Sequence, residues 1–189
     1  MTIEIRPLSP TDSEVFTSYI SNMDFHHAPH WQFCNCQYYH VKCQATEWRE
    51  RSAEQNRQLA HENIKNGTMH GFLAFDGEKT VGWVNANEWQ NYALLEDNQE
   101  LKSLEGKTGL VVCFLVHPDY RHQGLSKKLL ETAVEDFRKQ GFDRVVGRPF
   151  NWSAHPERQY HGTAEMFEEL GFQKHSEVNG RATYLLNLS

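Results

Sequence analysis

The sequence predicts a mixed α/β (α+β) fold in a single domain spanning residues 1–189. Three observations predict it. Leu110 to Val116 is an unbroken apolar run, the pattern of a strand buried on both faces. The segment after it repeats apolar residues four apart, at Leu125, Leu129, Ala133 and Phe137, the stripe of an amphipathic helix. Upstream, two shorter apolar segments flank Asp76-Gly77, a hairpin signal.

The elements follow in order. Thr2 to Arg6 alternates as a first strand does. Ser9-Pro10-Thr11-Asp12 opens a helix, with Ser9 as N-cap, Pro10 at the first helical position and Asp12 at the capping-box position. That helix runs to about Ser21. Phe25 to Cys43 is rich in His, aromatic residues and Cys and shows no period. A polar helix from about Thr46 to Asn66 is closed by Gly67. Met69–Phe75 and Thr80–Asn87 read as the hairpin strands, while Asn91–Lys107 fits either a short helix or a loop. After Leu110–Val116 comes a turn, His117 to Gln123, and then the amphipathic helix, ended by Gly141. Asp143–Gly147 is a short strand. Thr163–Leu170 is a short helix with Ala164, Phe167 and Leu170 on one side, stopped by Gly171. Phe172–Leu188 holds one or two strands, turned at Asn179-Gly180.

The chain is 39% hydrophobic and 23% charged, enough apolar material for one core. Its formal charge of −6 lacks the basic footprint of a nucleic-acid binder. No run approaches the roughly 20 apolar residues of a membrane span, and the acidic Glu4 argues against a signal peptide. Cytoplasmic placement is therefore expected. The four Cys, three of them crowded at Cys34, Cys36 and Cys43, do not make a secreted disulfide framework.

The chemistry concentrates where the buried strand turns into the amphipathic helix. The first amides of a helix have no internal partners, and its dipole adds positive charge there, so a phosphate binds well. Gly124 removes bulk at that point, Arg121 adds charge and Ser126 a small hydroxyl. An ordinary strand–helix junction would account for the turn equally well. The full string Val116-His117-Pro118-Asp119-Tyr120-Arg121-His122-Gln123-Gly124-Leu125-Ser126 resembles the acetyl-CoA motif of the GNAT superfamily of N-acetyltransferases. That motif is (Gln/Arg)-x-x-Gly-x-(Gly/Ala), preceded by Val-x-Pro-x-Tyr; Ser126 is the one departure. Met166-Phe167-Glu168-Glu169-Leu170-Gly171-Phe172 is similar to the family's second signature.

The resemblance implies a mostly antiparallel, splayed sheet flanked by helices, with acetyl-CoA as acyl donor and a primary amine of a small molecule as acceptor. It implies that the main chain of Leu115 and Val116 meets the pantetheine arm, and that Arg121, His122, Gln123, Gly124, Leu125 and Ser126 hold the pyrophosphate. Direct attack by the amine needs no covalent enzyme intermediate, and proximity supplies much of the rate. Many members use a Tyr, four residues before the Gly of the second signature, as the acid. Here that residue is Phe167, which has no proton to give. Tyr160 is the nearest replacement phenol, with His161 beside it; a Tyr packing against the donor is the alternative. Cys113, Asn85 and Asn87 are candidates to face the cleft. The resemblance also leaves room for a homodimer and for an acyl-CoA-binding sensor without transfer activity.

The His, aromatic and Cys stretch sits where the family's acceptor-site wall varies. It is similar to a bacterial subset that carries Cys-x-Cys and aromatics there. Trp31, Tyr38 and Tyr39 would supply stacking faces, and His30 and His40 candidate proton carriers. A competing reading makes Cys34, Cys36, His40 and Cys43 a Cys₃His zinc set, although zinc sites commonly use two separated pairs. Small hydrophobes packed under a lid is the third reading of these Cys. Glu96-Asp97, with Glu100 and Glu105 nearby, reads as a solvated face.

Overall fold

The computed structural model of the chain describes residues 2–26, 28–150 and 156–188, without the side chains of His30 and 156–158. Seven strands form one open sheet: β1 (Ile3–Pro7), β2 (Gly71–Asp76), β3 (Lys79–Glu88), β4 (Thr108–Val116), β5 (Arg144–Gly147), β6 (Gln173–Val178) and β7 (Arg181–Asn187). Their spatial order is β1-β2-β3-β4-β5-β7-β6. Every neighbouring pair is antiparallel except β4 and β5, which run parallel. The helices are α1 (Ser13–Ser21), α2 (Ala45–Glu50), α3 (Ala53–Lys65), α4 (Gln99–Lys102), α5 (Leu125–Lys139) and α6 (Ala164–Glu169).

The period-two alternation of strands assigns the layers. Leu73, Phe75, Trp83 and Leu115 pack with Phe16, Ile20, Ala60 and Ile64 of α1 and α3 on one face. Phe72, Ala74, Val84, Phe114 and Val116 pack with Leu129, Leu130, Ala133 and Phe137 of α5 on the other. The expected apolar stripe of α5 is thus its buried face.

Local signals explain most boundaries. Asp12 accepts from the Ser9 N–H (2.8 Å), the return bond of a capping box, and also from the Ser9 hydroxyl (2.8 Å). Arg6 forks the same carboxylate at 2.7 and 2.8 Å, tying β1 to the start of α1. The chain there makes one short 3₁₀ turn, Pro10–Asp12, before α1 begins. Asp76 pairs with Lys79 across the two-residue turn Gly77-Glu78, one position beyond the Asp76-Gly77 signal, with Gly77 taking the positive φ (58°). Asn179 (φ 53°) and Gly180 (φ 77°) both take positive φ, the requirement of the tight turn between β6 and β7.

One expectation needs correcting and one open segment is resolved. The single helix read from Thr46 to Asn66 is two, because Ser52 starts a new one: its hydroxyl accepts the Gln55 N–H (3.1 Å) while Gln55 Oε1 accepts the Ser52 N–H (2.8 Å). Asn91–Lys107, left open in the sequence, consists of short turns and α4, capped by the Asn98 side chain. A 3₁₀ segment, Pro156–His161, carries no advance signal and proves central to the site.

Candidate active site

β4 outruns β5. The two strands pair only from Thr108 with Arg144 to Val111 with Gly147. Beyond Val111 the strand edge of β4 has no β5 neighbour, so the sheet opens. The His117 N–H donates to the Val81 carbonyl (2.9 Å). Antiparallel alternation then turns the main chain of Leu115 and Cys113 toward β3, and that of Phe114 and Val116 toward the opening. Leu115 was expected to offer its main chain to a ligand; instead it pairs with Trp83, and its carbonyl accepts the Tyr19 hydroxyl (3.0 Å). The Val116 carbonyl is taken by Arg121 Nε (3.1 Å). Among the described residues, the opening is therefore edged by Phe114 N–H and C=O and by Val116 N–H.

A β-bulge sits at the mouth of the opening. Asn85 pairs with Cys113 but Ala86 pairs with Val111, leaving Val112 as the extra residue. Val112 and Cys113 consequently face the same side of the sheet, whereas Val111 and Phe114 face the other. The Pro156–His161 segment packs on β4, with His161 beside the Val112 backbone.

The N-terminus of α5 lies at the end of this open edge. Its first intrahelical donor is the Lys128 N–H, to the Gly124 carbonyl at 3.1 Å. The amides of Leu125, Ser126 and Lys127 are left for a ligand. Gly124 is the N-cap in a left-handed conformation (φ 77°), and a Cβ built there meets nothing within 4 Å. The turn is braced by Tyr120, which donates to Asp76 (2.7 Å), and by Gln123, which donates to the Asp119 carbonyl (2.8 Å). Leu125 is a core side chain beneath Gly82, so only its amide faces out. His122 is exposed, at φ 58°. The donor set suits a diphosphate: unpartnered amides, a helix dipole and the Arg121 guanidinium on one open surface.

On the α1 side, a cavity of about 410 Å³ opens against β4. Its floor is Cys113, Phe114 and Leu115; its walls include Trp31, Tyr38, Tyr39, Trp48 and Tyr160. The Trp31 and Tyr160 rings meet edge-on at 4.9 Å, and Tyr38 bridges Tyr39 and Trp48. Among the described residues, no acidic or basic side chain lines it. The structure thus brings Trp31, Tyr38, Tyr39 and Tyr160 together beside the open edge of β4.

Burial sets the protonation states. It raises the Tyr160 phenol, which makes no hydrogen bond among the described residues, and pushes Tyr39 up to about 12. Tyr39 Oη lies 3.3 Å from His161 Nε2. Burial and the charges of Arg181 and Arg148 hold His161 neutral, well below the usual histidine range.

Comparison with known proteins now decides the family. The acetyltransferase (GNAT) family model matches residues 32–172. The chain belongs to the GNAT acetyltransferase family. No curated protein sequence is significantly similar to it. A GNAT-family structure from Desulfovibrio desulfuricans is 15% identical over the whole of both chains, with a TM-score of 0.61. A Salmonella typhimurium protein, solved with its cofactor acetyl-CoA, is 14% identical over 100% of this chain and 95% of that one, with a TM-score of 0.56. The PaiA N-acetyltransferase of Thermoplasma acidophilum, in complex with coenzyme A, is 15% identical over 99% of both chains, with a TM-score of 0.57.

Several expected residues of this GNAT chain are engaged elsewhere. His40 does not line the cavity: its Nε2 meets Asn85 Nδ2 at 3.2 Å, and burial lowers its pKa to about 4. Asn85 also accepts the Tyr92 hydroxyl (2.9 Å), and Asn87 donates to the Thr68 carbonyl (3.0 Å), so both are structural. The His30 side chain lies outside the described residues. The Cys₃His set does not assemble: among the described residues no group of three or more His, Cys, Asp or Glu comes within reach of one metal ion. Glu96 and Asp97 are exposed and paired with Lys42 at 2.6 and 3.2 Å, which pins the aromatic stretch to the segment before β4. Phe167 is wholly buried against Gly147 and Gly162. No helix among the described residues is long and apolar enough to cross a membrane.

Proposed function

We propose that this chain transfers the acetyl group of acetyl-CoA to the primary amine of a small molecule with an aromatic or aliphatic body. One observation carries the reading: the open edge of β4 joins an anion-binding helix end to an aromatic cavity. The α5 amides and Arg121 would hold the donor's diphosphate. Phe114 and Val116 would hydrogen-bond its pantetheine amides, which places the thioester at the bulge beside Cys113. Acetyl-CoA supplies an activated acyl group there.

The cavity itself handles the first proton problem. An ammonium entering an apolar site loses solvation, which favours its neutral, nucleophilic form. Aromatic faces still attract the cation on its way in. Tyr160 stays protonated at all physiological pH and can donate a hydrogen bond to the departing sulfur. Full proton transfer from so weak an acid is not needed if the thiolate leaves toward water. At about 410 Å³ the cavity is near the low end of small-molecule sites, which supports a compact acceptor over a protein tail.

A second reading, a CoA-binding sensor without transfer, is favoured by Phe167, a core ring where many relatives carry the acid. Thiol release separates the two. Wild type with acetyl-CoA and a panel of aryl-alkyl and aliphatic amines should release CoA thiol in step with acetylated amine. Tyr160→Phe should lower kcat by about tenfold or more, with donor affinity little changed. Acetyl-CoA binding without thiol release from any amine would favour the sensor and sink the transferase reading.

A further inference from the structure

We infer that Cys36 and Cys113 form a two-sulfur binding site for a thiophilic centre bearing one apolar substituent, the class that fits being an organoarsenous compound. The site shares the aromatic cavity with the proposed acetyl transfer, so an occupant would compete with the acceptor, but its binding needs no acetyl-CoA. The two Sγ atoms lie 3.9 Å apart, and both residues line the aromatic cavity. Two backbone distortions meet there. Asn35 and Cys36 take φ of 45° and 54°, a left-handed conformation that non-glycine residues seldom adopt. The β4 bulge turns Cys113 to the same face. The indole Nε1–H of Trp83 is buried and has no hydrogen-bond partner among the described residues.

The separation is one that a single bridging centre can span with little movement. A disulfide would need an oxidant and would draw the sulfurs in to about 2.05 Å. A single centre with two sulfur bonds of about 2.3 Å, as in zinc thiolates, holds them roughly 3.4–3.8 Å apart for bond angles of about 95–109°. The pair already stands within a few tenths of an ångström of that span. Zinc calls for about four ligands, and no third donor joins these two among the described residues. Trivalent arsenic with one organic group asks the protein for only two. That group would lie against Trp31, Tyr38 and Tyr160.

The chemistry balances without a redox step. R–As(OH)₂ condenses with the two thiols; two As–S bonds form, two As–O bonds break, and each thiol proton leaves in a water molecule. Protonated thiols are the reactants, which suits a site where the neighbouring Cys113 thiol and burial together push the Cys36 thiol up.

The test is titration of the reduced protein with phenylarsine oxide, followed by intact mass and tryptophan fluorescence. Wild type should take up one phenylarsenic group per chain, released by excess dithiol. Cys36→Ser should weaken uptake by about a hundredfold or more, because a second bond formed within one site gains at least that factor. Cys34→Ser and Cys43→Ser should bind as wild type does. Should Cys113→Ser fail to fold, Cys36→Ser and Cys36→Ala carry the test, with thermal melts to show that they are folded. No uptake by wild type, undiminished uptake by folded Cys36→Ser, or equal loss in Cys34→Ser would overturn the assignment.

Discussion

Replacing Gly124 separates two contributions that the structure superimposes at one backbone position. Any side chain there must adopt φ near 77°, a left-handed conformation that costs a non-glycine residue about 1–2 kcal/mol. A Cβ at this site meets no atom within 4 Å, so no steric clash adds to that cost. Gly124→Ala should therefore lose about 1 kcal/mol of stability, a fall in Tm of about 2–4 °C for a chain of this size. Gly124→Glu carries the same backbone strain and adds a negative charge at the helix end. Opposite a phosphate at about 4 Å, that charge costs about 1 kcal/mol in water and about 4 kcal/mol near a protein surface. Acetyl-CoA should then bind Gly124→Glu roughly 5- to 1000-fold more weakly than Gly124→Ala. Isothermal titration of both variants, with thermal melts alongside, makes the comparison. Equal affinities in two folded variants would refute the claim that phosphate sits at the start of α5.

Three further outcomes follow from buried groups. Arg6 and Ser9 hold the Asp12 carboxyl at about 2, below its ordinary 3.8, so the stability it contributes is full above pH 4 and lost as pH falls toward 2. Asp12→Asn should cost about 2 kcal/mol at pH 7 in urea unfolding, with the difference vanishing near pH 2. His40 is lowered from 6.5 to about 4. The unfolded chain therefore binds a proton that the folded chain refuses between those values, and stability falls with pH across that window. His40→Gln should remove about 3 kcal/mol of the loss between pH 7 and pH 4, measured by the same unfolding curves. Gly147→Ala would drive a Cβ to 2.2 Å from the Phe167 ring; overpacking at this rigid junction should cost about 1–3 kcal/mol in denaturant melts.

The fold was legible where local chemistry and tertiary packing agree. The capping box at Ser9 and Asp12, the Asp76-Gly77 and Asn179-Gly180 turns and the α5 stripe each act within a few residues. The geometry of the turn proposed to bind phosphate was legible for the same reason, since Gly124 and the helix start are adjacent in sequence. The splay of β4 from β5 was not, because it depends on where β5 stops relative to a strand about 35 residues away. Hence Leu115 was expected where Phe114 faces the opening: strand parity relative to β3 is a tertiary property. His40 and Tyr39 are neighbours in a stretch without periodicity, and the sequence could not say which would turn to Asn85 and which to the cavity. The Ser52 cap was visible in the sequence as Ser-x-x-Gln, and the polar run around it masked the break.

The central claim is that one open strand edge joins a diphosphate site to an aromatic acceptor cavity. A crystal structure with acetyl-CoA tests it most directly. The account predicts the diphosphate on the amides of residues 125–127 beside Arg121, the pantetheine amides on Phe114 and Val116, and the acetyl group at the cavity floor near Cys113. Density for the donor elsewhere, or along a β4 edge that Phe114 does not contact, would contradict it.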